Sequence, residues 1–137
     1  MTAECMLDTN VLVYAVDESP EYARKKSVAE AMLGSLDFGL SAQVLQEFFV
    51  TVTKKIENPI SHERALSIME RLEVFPLVPT TFGLVVEGVR NSVKYQVSYW
   101  DGAVLAAAER LGARVLYSED LSDVRVYGGV KVVNPFD

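Results

Sequence analysis

Four acids stand at points of this chain where an α/β fold presents its chemistry. Asp8 closes the short apolar-leaning run from Glu4 to Leu7, and Asp120 follows Val115-Leu116-Tyr117 by three residues. Asp101 falls in the first turn of a helix that begins near Tyr99, and Glu47 in the second turn of one that begins near Ser41. Carboxylates brought together repel one another unless a cation neutralises them. An all-oxygen donor set suits Mg²⁺ or Mn²⁺. Such an ion lowers the pKa of a bound water and stabilises the charge that develops on phosphate during in-line attack. His62 is the only histidine and Cys5 the only cysteine, so a Cys/His zinc site and an internal disulfide are both excluded.

Each acid also has a structural role open to it. Asp8 can cap a helix, Asp101 can favour a helix dipole and Asp120 can belong to a turn. Glu47 can be a solvated helix residue, but Leu45, Phe48 and Phe49 surround it in sequence, and a charge in apolar surroundings needs a partner. Glu119 and Asp123 read as surface turn residues, with Asp123 placed to assist the site. Asp17 and Glu18 read as a solvated turn, and His62 as a solvated helix start. Tyr99 and Trp100 are read as core packing ahead of base stacking. Arg24-Lys25-Lys26 is a solvated helix start or a phosphate contact.

The elements that must position these acids alternate. Glu4 to Leu7 is a strand, Asn10 to Val16 a short helix broken at Asp17-Glu18-Ser19-Pro20, and Glu21 to Leu36 a helix with Val28, Ala31, Met32 and Leu36 at helical spacing. Asp37 to Leu40 is a strand, and Ser41 caps a helix that runs to about Lys55 with Val44, Leu45, Phe48 and Val52 on one face. Asn58-Pro59 ends that helix and Ser61 caps the next. Val74 to Val78 reads as a third strand, irregular at Pro76. Thr80 or Thr81 opens a helix through Lys94, and Tyr99 to Leu111 is an Ala-rich helix stopped by Gly112. Val115 to Tyr117 and Val130 to Val133 complete five strands. Strands separated by helices imply a parallel sheet covered on both faces, with ligands beyond the carboxyl ends of its strands. Asp8 and Asp120 emerge at that edge.

The 137 residues are 50% apolar and carry a net charge of −6, without a repeat or low-complexity linker, which reads as a single domain over residues 1–137. The acidic balance argues against a nonspecific nucleic-acid coat protein, but not against a nuclease whose acids become attractive to phosphate once loaded with metal. No apolar run approaches a membrane span. No basic region precedes a long apolar stretch at the N-terminus, and the lone cysteine fits a reducing cytoplasm. The sequence has no Walker A loop, G-x-S-x-G elbow or G-x-G-x-x-G fingerprint.

Four segments, in this order and spacing, resemble the PIN domain, and within it the toxin nucleases of VapBC-type toxin–antitoxin pairs. They are Leu7-Asp8-Thr9-Asn10-Val11-Leu12-Val13-Tyr14, Ser41-Ala42-Gln43-Val44-Leu45-Gln46-Glu47-Phe48, Ser98-Tyr99-Trp100-Asp101-Gly102-Ala103 and Leu116-Tyr117-Ser118-Glu119-Asp120-Leu121. The closing Val132-Val133-Asn134-Pro135-Phe136 resembles the usual ending. The resemblance implies a three-layer α/β/α sandwich around a five-stranded parallel sheet and Mg²⁺- or Mn²⁺-dependent cleavage of RNA. It places Asp8, Glu47, Asp101 and Asp120 on the family's acidic, metal-binding positions, and Thr9, Asn10 and Ser118 on accessory polar ones. Gly102 departs from the Ala often found there. A homodimer and an antitoxin partner are also implied, with Phe48-Phe49 or Met32-Leu36 as contact faces.

Three alternatives compete: a stand-alone RNA-processing nuclease, a phosphatase or phospho-receiver domain, and a binding-only PIN-like domain. The phosphatase pattern wants an Asp where Asn10 stands, and a receiver wants an acidic pair and a late Lys that Glu4 and Lys131 match poorly.

Overall fold

A computed structural model describes residues 1–121 and 125–137. Asp123, the assisting acid, lies outside the described residues. The elements in chain order are β1 (Cys5–Leu7), α1 (Thr9–Val16), α2 (Ala23–Ser35), β2 (Phe38–Ser41), α3 (Ala42–Val50), α4 (His62–Arg71), β3 (Leu77–Val78), α5 (Phe82–Tyr95), α6 (Tyr99–Arg110), β4 (Val115–Tyr117), β5 (Val126–Tyr127) and β6 (Val130–Val133).

The sheet has six strands in the order β3-β2-β1-β4-β6-β5. The pairs β1–β2, β1–β4, β2–β3 and β4–β6 are parallel, so the α/β architecture is the expected one. The sixth strand corrects the count of five: β5 pairs antiparallel to β6 at the sheet edge. Gly128-Gly129 joins them, with Gly128 at φ 60°, a conformation that costs glycine little. Strand order reverses at β1. The chain moves outward to β2 and β3, then returns to the other side of β1 as β4. Right-handed crossovers therefore put α1–α4 on one face and α5–α6 on the other.

Central strands covered on both faces should be apolar throughout. β1 and β2 are buried at every residue. The core centres on Met6, Leu7, Phe38, Leu40, Val44, Phe48, Leu105, Leu111 and Leu116, all at 1% exposure or less. Cys5 packs there as a small hydrophobe, and burial pushes its thiol up to about 11. Phe48 is core, which removes it as a contact face.

α5 and α6 pack closely through glycine. A Cβ on Gly102 would stand 2.4 Å from the Gly88 carbonyl oxygen, so Ala does not fit there unless the two helices separate. Asn91 Nδ2 donates to the Gly102 carbonyl at 3.1 Å, fixing this crossing beside Asp101. Gly112, at φ 68°, ends α6 as expected.

Candidate active site

The register of two neighbouring strands builds the centre of the site. Leu7 of β1 lies opposite Tyr117 of β4, so the residues that follow, Asp8 and Ser118, leave the sheet side by side. Asp8 N–H donates to Tyr117 O at 3.0 Å, and Ser118 N–H to Val133 O at 3.0 Å, which holds both at the carboxyl edge. This is the topological switch point of the sheet, where open α/β folds bind ligands.

Asp8 does two things at once. Its Oδ1 accepts from Thr9 N at 2.8 Å and so caps α1, while Oδ2 accepts from Ser118 Oγ at 2.8 Å. The carboxyl is buried, and its pKa is pushed up to about 6. Desolvation is the main cause. The bonds from Ser118 and Thr9 oppose it, and repulsion from Asp120 and Glu47 adds to it. Ser118, fully buried, also accepts at Oγ from the Asp120 and Leu121 amides at 3.2 and 3.3 Å. One hydroxyl thus ties Asp8 to the loop that carries Asp120.

The other acids arrive from helices and the same loop. α3 starts directly after β2, capped by Ser41 Oγ accepting from Val44 N at 3.2 Å, which brings Glu47 over the sheet edge one turn later. Glu47 is exposed, contrary to the expectation drawn from its sequence neighbours: Val44 and Phe48 turn inward at helical spacing and Glu47 turns out. Its Oε1 accepts from Thr9 Oγ1 at 3.0 Å. α6 returns to the sheet through Leu111–Arg114, so its first turn lies at the far end, over the cleft. There Ser98 Oγ accepts from Asp101 N at 3.1 Å. Asp120 stands at the exposed rim. Partial desolvation, then repulsion from Glu119 and Asp101, raise its pKa.

All four acids line one cleft of about 570 Å³, together with Thr9 and Asn10. Sequence reasoning missed Gln43, Gln46, Val50, Thr51, Val104 and Lys55 in its walls. The signal was available for Gln43, Val50 and Thr51, which lie three or four residues from Glu47. Trp100 is 62% exposed and lines the cleft, which corrects its assignment to the core.

Other expectations change as well. Asp17 is buried and its Oδ1 accepts from Ser19 N at 3.0 Å, so it is no solvated turn residue. Glu119 is held by Lys25 Nζ at 2.5 Å and by Tyr14 OH at 2.7 Å. Lys26 Nζ donates to Ala15 O at 2.7 Å, and Arg24 donates to Phe136 O. The basic run at the start of α2 is therefore occupied within the molecule and not held out for phosphate. His62 is exposed, with its ring 5.1 Å from that of Phe49.

The donor set is entirely oxygen, and among the described residues no three carboxylates, thiols or imidazoles are gathered closely enough to cage an ion. Oxygen donors are the chemistry that hard divalent cations take. The upward shift of Asp8, due in part to neighbouring carboxylates, marks negative charge that a cation would relieve.

The family model for the PIN domain matches residues 5–128. No curated protein matches the sequence. Among solved structures, the sarcin-ricin-loop-cleaving toxin VapC20 of Mycobacterium tuberculosis is similar at TM-score 0.68 and 18% identity, covering 85% of this chain and 89% of that one. A toxin–antitoxin complex from Klebsiella pneumoniae matches at 0.68 and 18%, covering 96% and 97%. The DNA-bound VapBC of Salmonella typhimurium matches at 0.63 and 19%, covering 96% and 97%. At these identities the likeness shows the fold.

Proposed function

This chain belongs to the PIN domain family, and from that premise we propose that it is a divalent-metal-dependent endoribonuclease, the toxin of a toxin–antitoxin pair. The observation that carries this reading is the convergence of Asp8, Glu47, Asp101 and Asp120 on one cleft at the switch point of the sheet. Residues 1–137 act as one nuclease domain, with these acids as the metal-holding and catalytic set. Mg²⁺ or Mn²⁺, once bound, supplies charge stabilisation for the phosphate and acidity for a water.

The protein's own groups prepare that chemistry. Ser118 and the Thr9 amide hold Asp8 in one orientation, and Thr9 Oγ1 does the same for Glu47. Asn10, on the cleft wall, orients a substrate or water oxygen through its amide. Asp120 reaches the same cleft from the loop after β4, with its amide held by Ser118 Oγ.

The antitoxin reading draws on neighbours that are themselves toxin–antitoxin complexes. An antitoxin segment would use the apolar part of the same cleft, where Val50 and Trp100 are 43% and 62% exposed. A homodimer is supported by α5, whose Phe82, Val89 and Val93 are 85%, 49% and 75% exposed along one helix. No helix among the described residues is long and apolar enough to cross a membrane, and the reading places the protein in the cytoplasm.

The test is cleavage of a mixed RNA pool with Mg²⁺, Mn²⁺ or chelator. Fragments with metal and none with chelator are expected. An intact pool under all three conditions refutes the nuclease reading. Sedimentation across a concentration range tests the dimer, and a concentration-independent monomer removes it.

A further inference from the structure

An acidic cleft repels an RNA backbone, and Lys55 is the one basic side chain among the residues that line it. Its position is a product of local backbone geometry. After Val50 the helix widens into a π turn over Thr51–Lys55, closed by Ile56 N–H donating to Thr51 O at 3.2 Å. In an unbroken α-helix, at about 100° per residue, Gln43, Glu47 and Val50 would share a face and Lys55 would stand about 120° round from Gln43. The wider turn lags behind that advance and swings Lys55 back towards the cleft. Turns of this kind recur at functional sites. Lys55 is exposed and makes no ion pair among the described residues.

Distance along the helix decides which phosphate it serves. Gln43 Nε2 donates to Trp100 O at 3.4 Å, so the start of α3 and Trp100 share one end of the cleft. With about 1.5 Å of rise per α-helical residue and less through the wider turn, Lys55 lies under about 12 Å beyond the level of Glu47 along the axis, and its flexible stem carries the ammonium toward a phosphate flanking the one the acids face. The cleft does not stop at Lys55. Asn10, Val13 and Lys55 also line a second cleft of about 250 Å³, whose walls carry Asp17, Glu21 and Glu57, so Lys55 stands as the lone cation between two acidic clefts.

We propose that Lys55 binds an RNA phosphate flanking the scissile one. This rests on the endoribonuclease reading. Lys55 is a positioning residue, so it acts on binding and leaves the chemical step alone.

The experiment measures kcat and KM on a random-sequence single-stranded RNA pool with Mn²⁺ across a range of KCl, for the wild type, Lys55→Gln and Lys55→Arg. Lys55→Gln should raise KM about fivefold, the scale of one exposed charge pair. It should flatten the log–log salt dependence by about 0.7, one phosphate on a single strand. kcat should hold, Lys55→Arg should restore both losses, and thermal unfolding should be unchanged. A Lys55→Gln protein with wild-type KM and salt slope overturns the proposal, and so does a loss confined to kcat. A wild type that cleaves no RNA refutes the endoribonuclease reading itself, and the Lys55 proposal falls with it.

Discussion

Glu119 and Asp120 are adjacent in sequence and sit in opposite electrostatic settings. Glu119 faces α1 and α2, where Lys25 Nζ reaches it at 2.5 Å and Tyr14 OH at 2.7 Å. Asp120 faces the cleft, where its charged neighbours include Asp101 and no base reaches it among the described residues. The same contrast holds across the two regions. Behind the β4 loop, Lys25 pairs with Glu119 and Lys26 with Glu18. In front of it, four carboxylates share a cleft with one distant lysine. Folding alone would remove such a mismatch, so an acid left without a base marks a place prepared for a cation or a proton.

The largest expected effect tests the mismatched side. Asp101→Asn is nearly isosteric and keeps the backbone N–H that bonds Ser98. It should cut RNA cleavage by roughly 10³-fold, the scale for removing one group that stabilises developing charge. Glu119→Gln should leave cleavage within about threefold, because its carboxylate is already spent on Lys25 and Tyr14. Single-turnover rates with Mn²⁺ make the comparison. Equal losses in the two variants would erase the distinction between the regions.

Asp8 extends the comparison to stability. Its carboxyl is raised to about 6, against an ordinary value near 4, so the folded protein holds a proton there that the unfolded chain releases. The resulting stabilisation is complete below about pH 4. It is lost as pH rises to about 6 and does not change further above that. At about 1.4 kcal/mol per tenfold change in proton affinity, the loss is at most about 3 kcal/mol. Asn is as good a helix cap as Asp, so Asp8→Asn should remove this slope and keep the fold. Thermal unfolding in chelator from pH 4 to pH 7 measures it, and the difference between wild type and variant isolates Asp8 from other acids. A difference that stays constant across that range would mean Asp8 is already ionised at pH 4.

How much of this could be read beforehand differs by region. The four acids were visible because strand-end and helix-start positions repeat locally in the sequence, and parallel order carries them to one edge. The setting of Glu47 was misread. Its apolar neighbours Val44 and Phe48 belong to the opposite helix face, which spacing alone could have shown. β5 was missed because it has two residues, although the Gly-Gly turn after it is a hairpin signal. The π turn under Lys55 has no local sequence signature. The Lys25–Glu119 pair joins residues 94 positions apart, and no local pattern reveals it.

A smaller effect is expected at the hinge between the two regions. Ser118 Oγ bonds Asp8 on one side and receives the Asp120 amide on the other. Ser118→Ala leaves every carboxylate of the cleft in place but removes the bond to Asp8 and the acceptor for the Asp120 amide. Groups of this kind typically contribute about 10- to 100-fold in metal affinity or activity. Titration of Mn²⁺ against the rise in melting temperature should show weaker binding in that range. Ser118→Cys, which keeps a weak donor, should fall between. Unchanged metal affinity in Ser118→Ala would mean the Asp8 orientation is set by the Thr9 amide alone.

The smallest effect probes the matched side. The Lys25 and Glu119 side chains are 30% and 22% exposed, between a surface pair worth under about 1 kcal/mol and a buried one whose breakage costs about 3–5 kcal/mol. Lys25→Met leaves Glu119 with only Tyr14 OH as partner and also removes a cation 4.9 Å from the Tyr14 ring centroid. A loss of about 1–2 kcal/mol follows, lowering the melting temperature by about 4–8 °C in a domain of this size. Adding Glu119→Gln to Lys25→Met should recover part of it, since a neutral amide tolerates the lost lysine better than a carboxylate does. RNA binding and its salt slope should not move in either protein, because Lys25 is committed to Glu119. Suppose instead that Lys25→Met melts like the wild type and binds RNA with a flatter salt dependence. Lys25 would then be a phosphate contact, Glu119 would join Asp120 on the mismatched side, and the boundary between the two regions would lie behind α2.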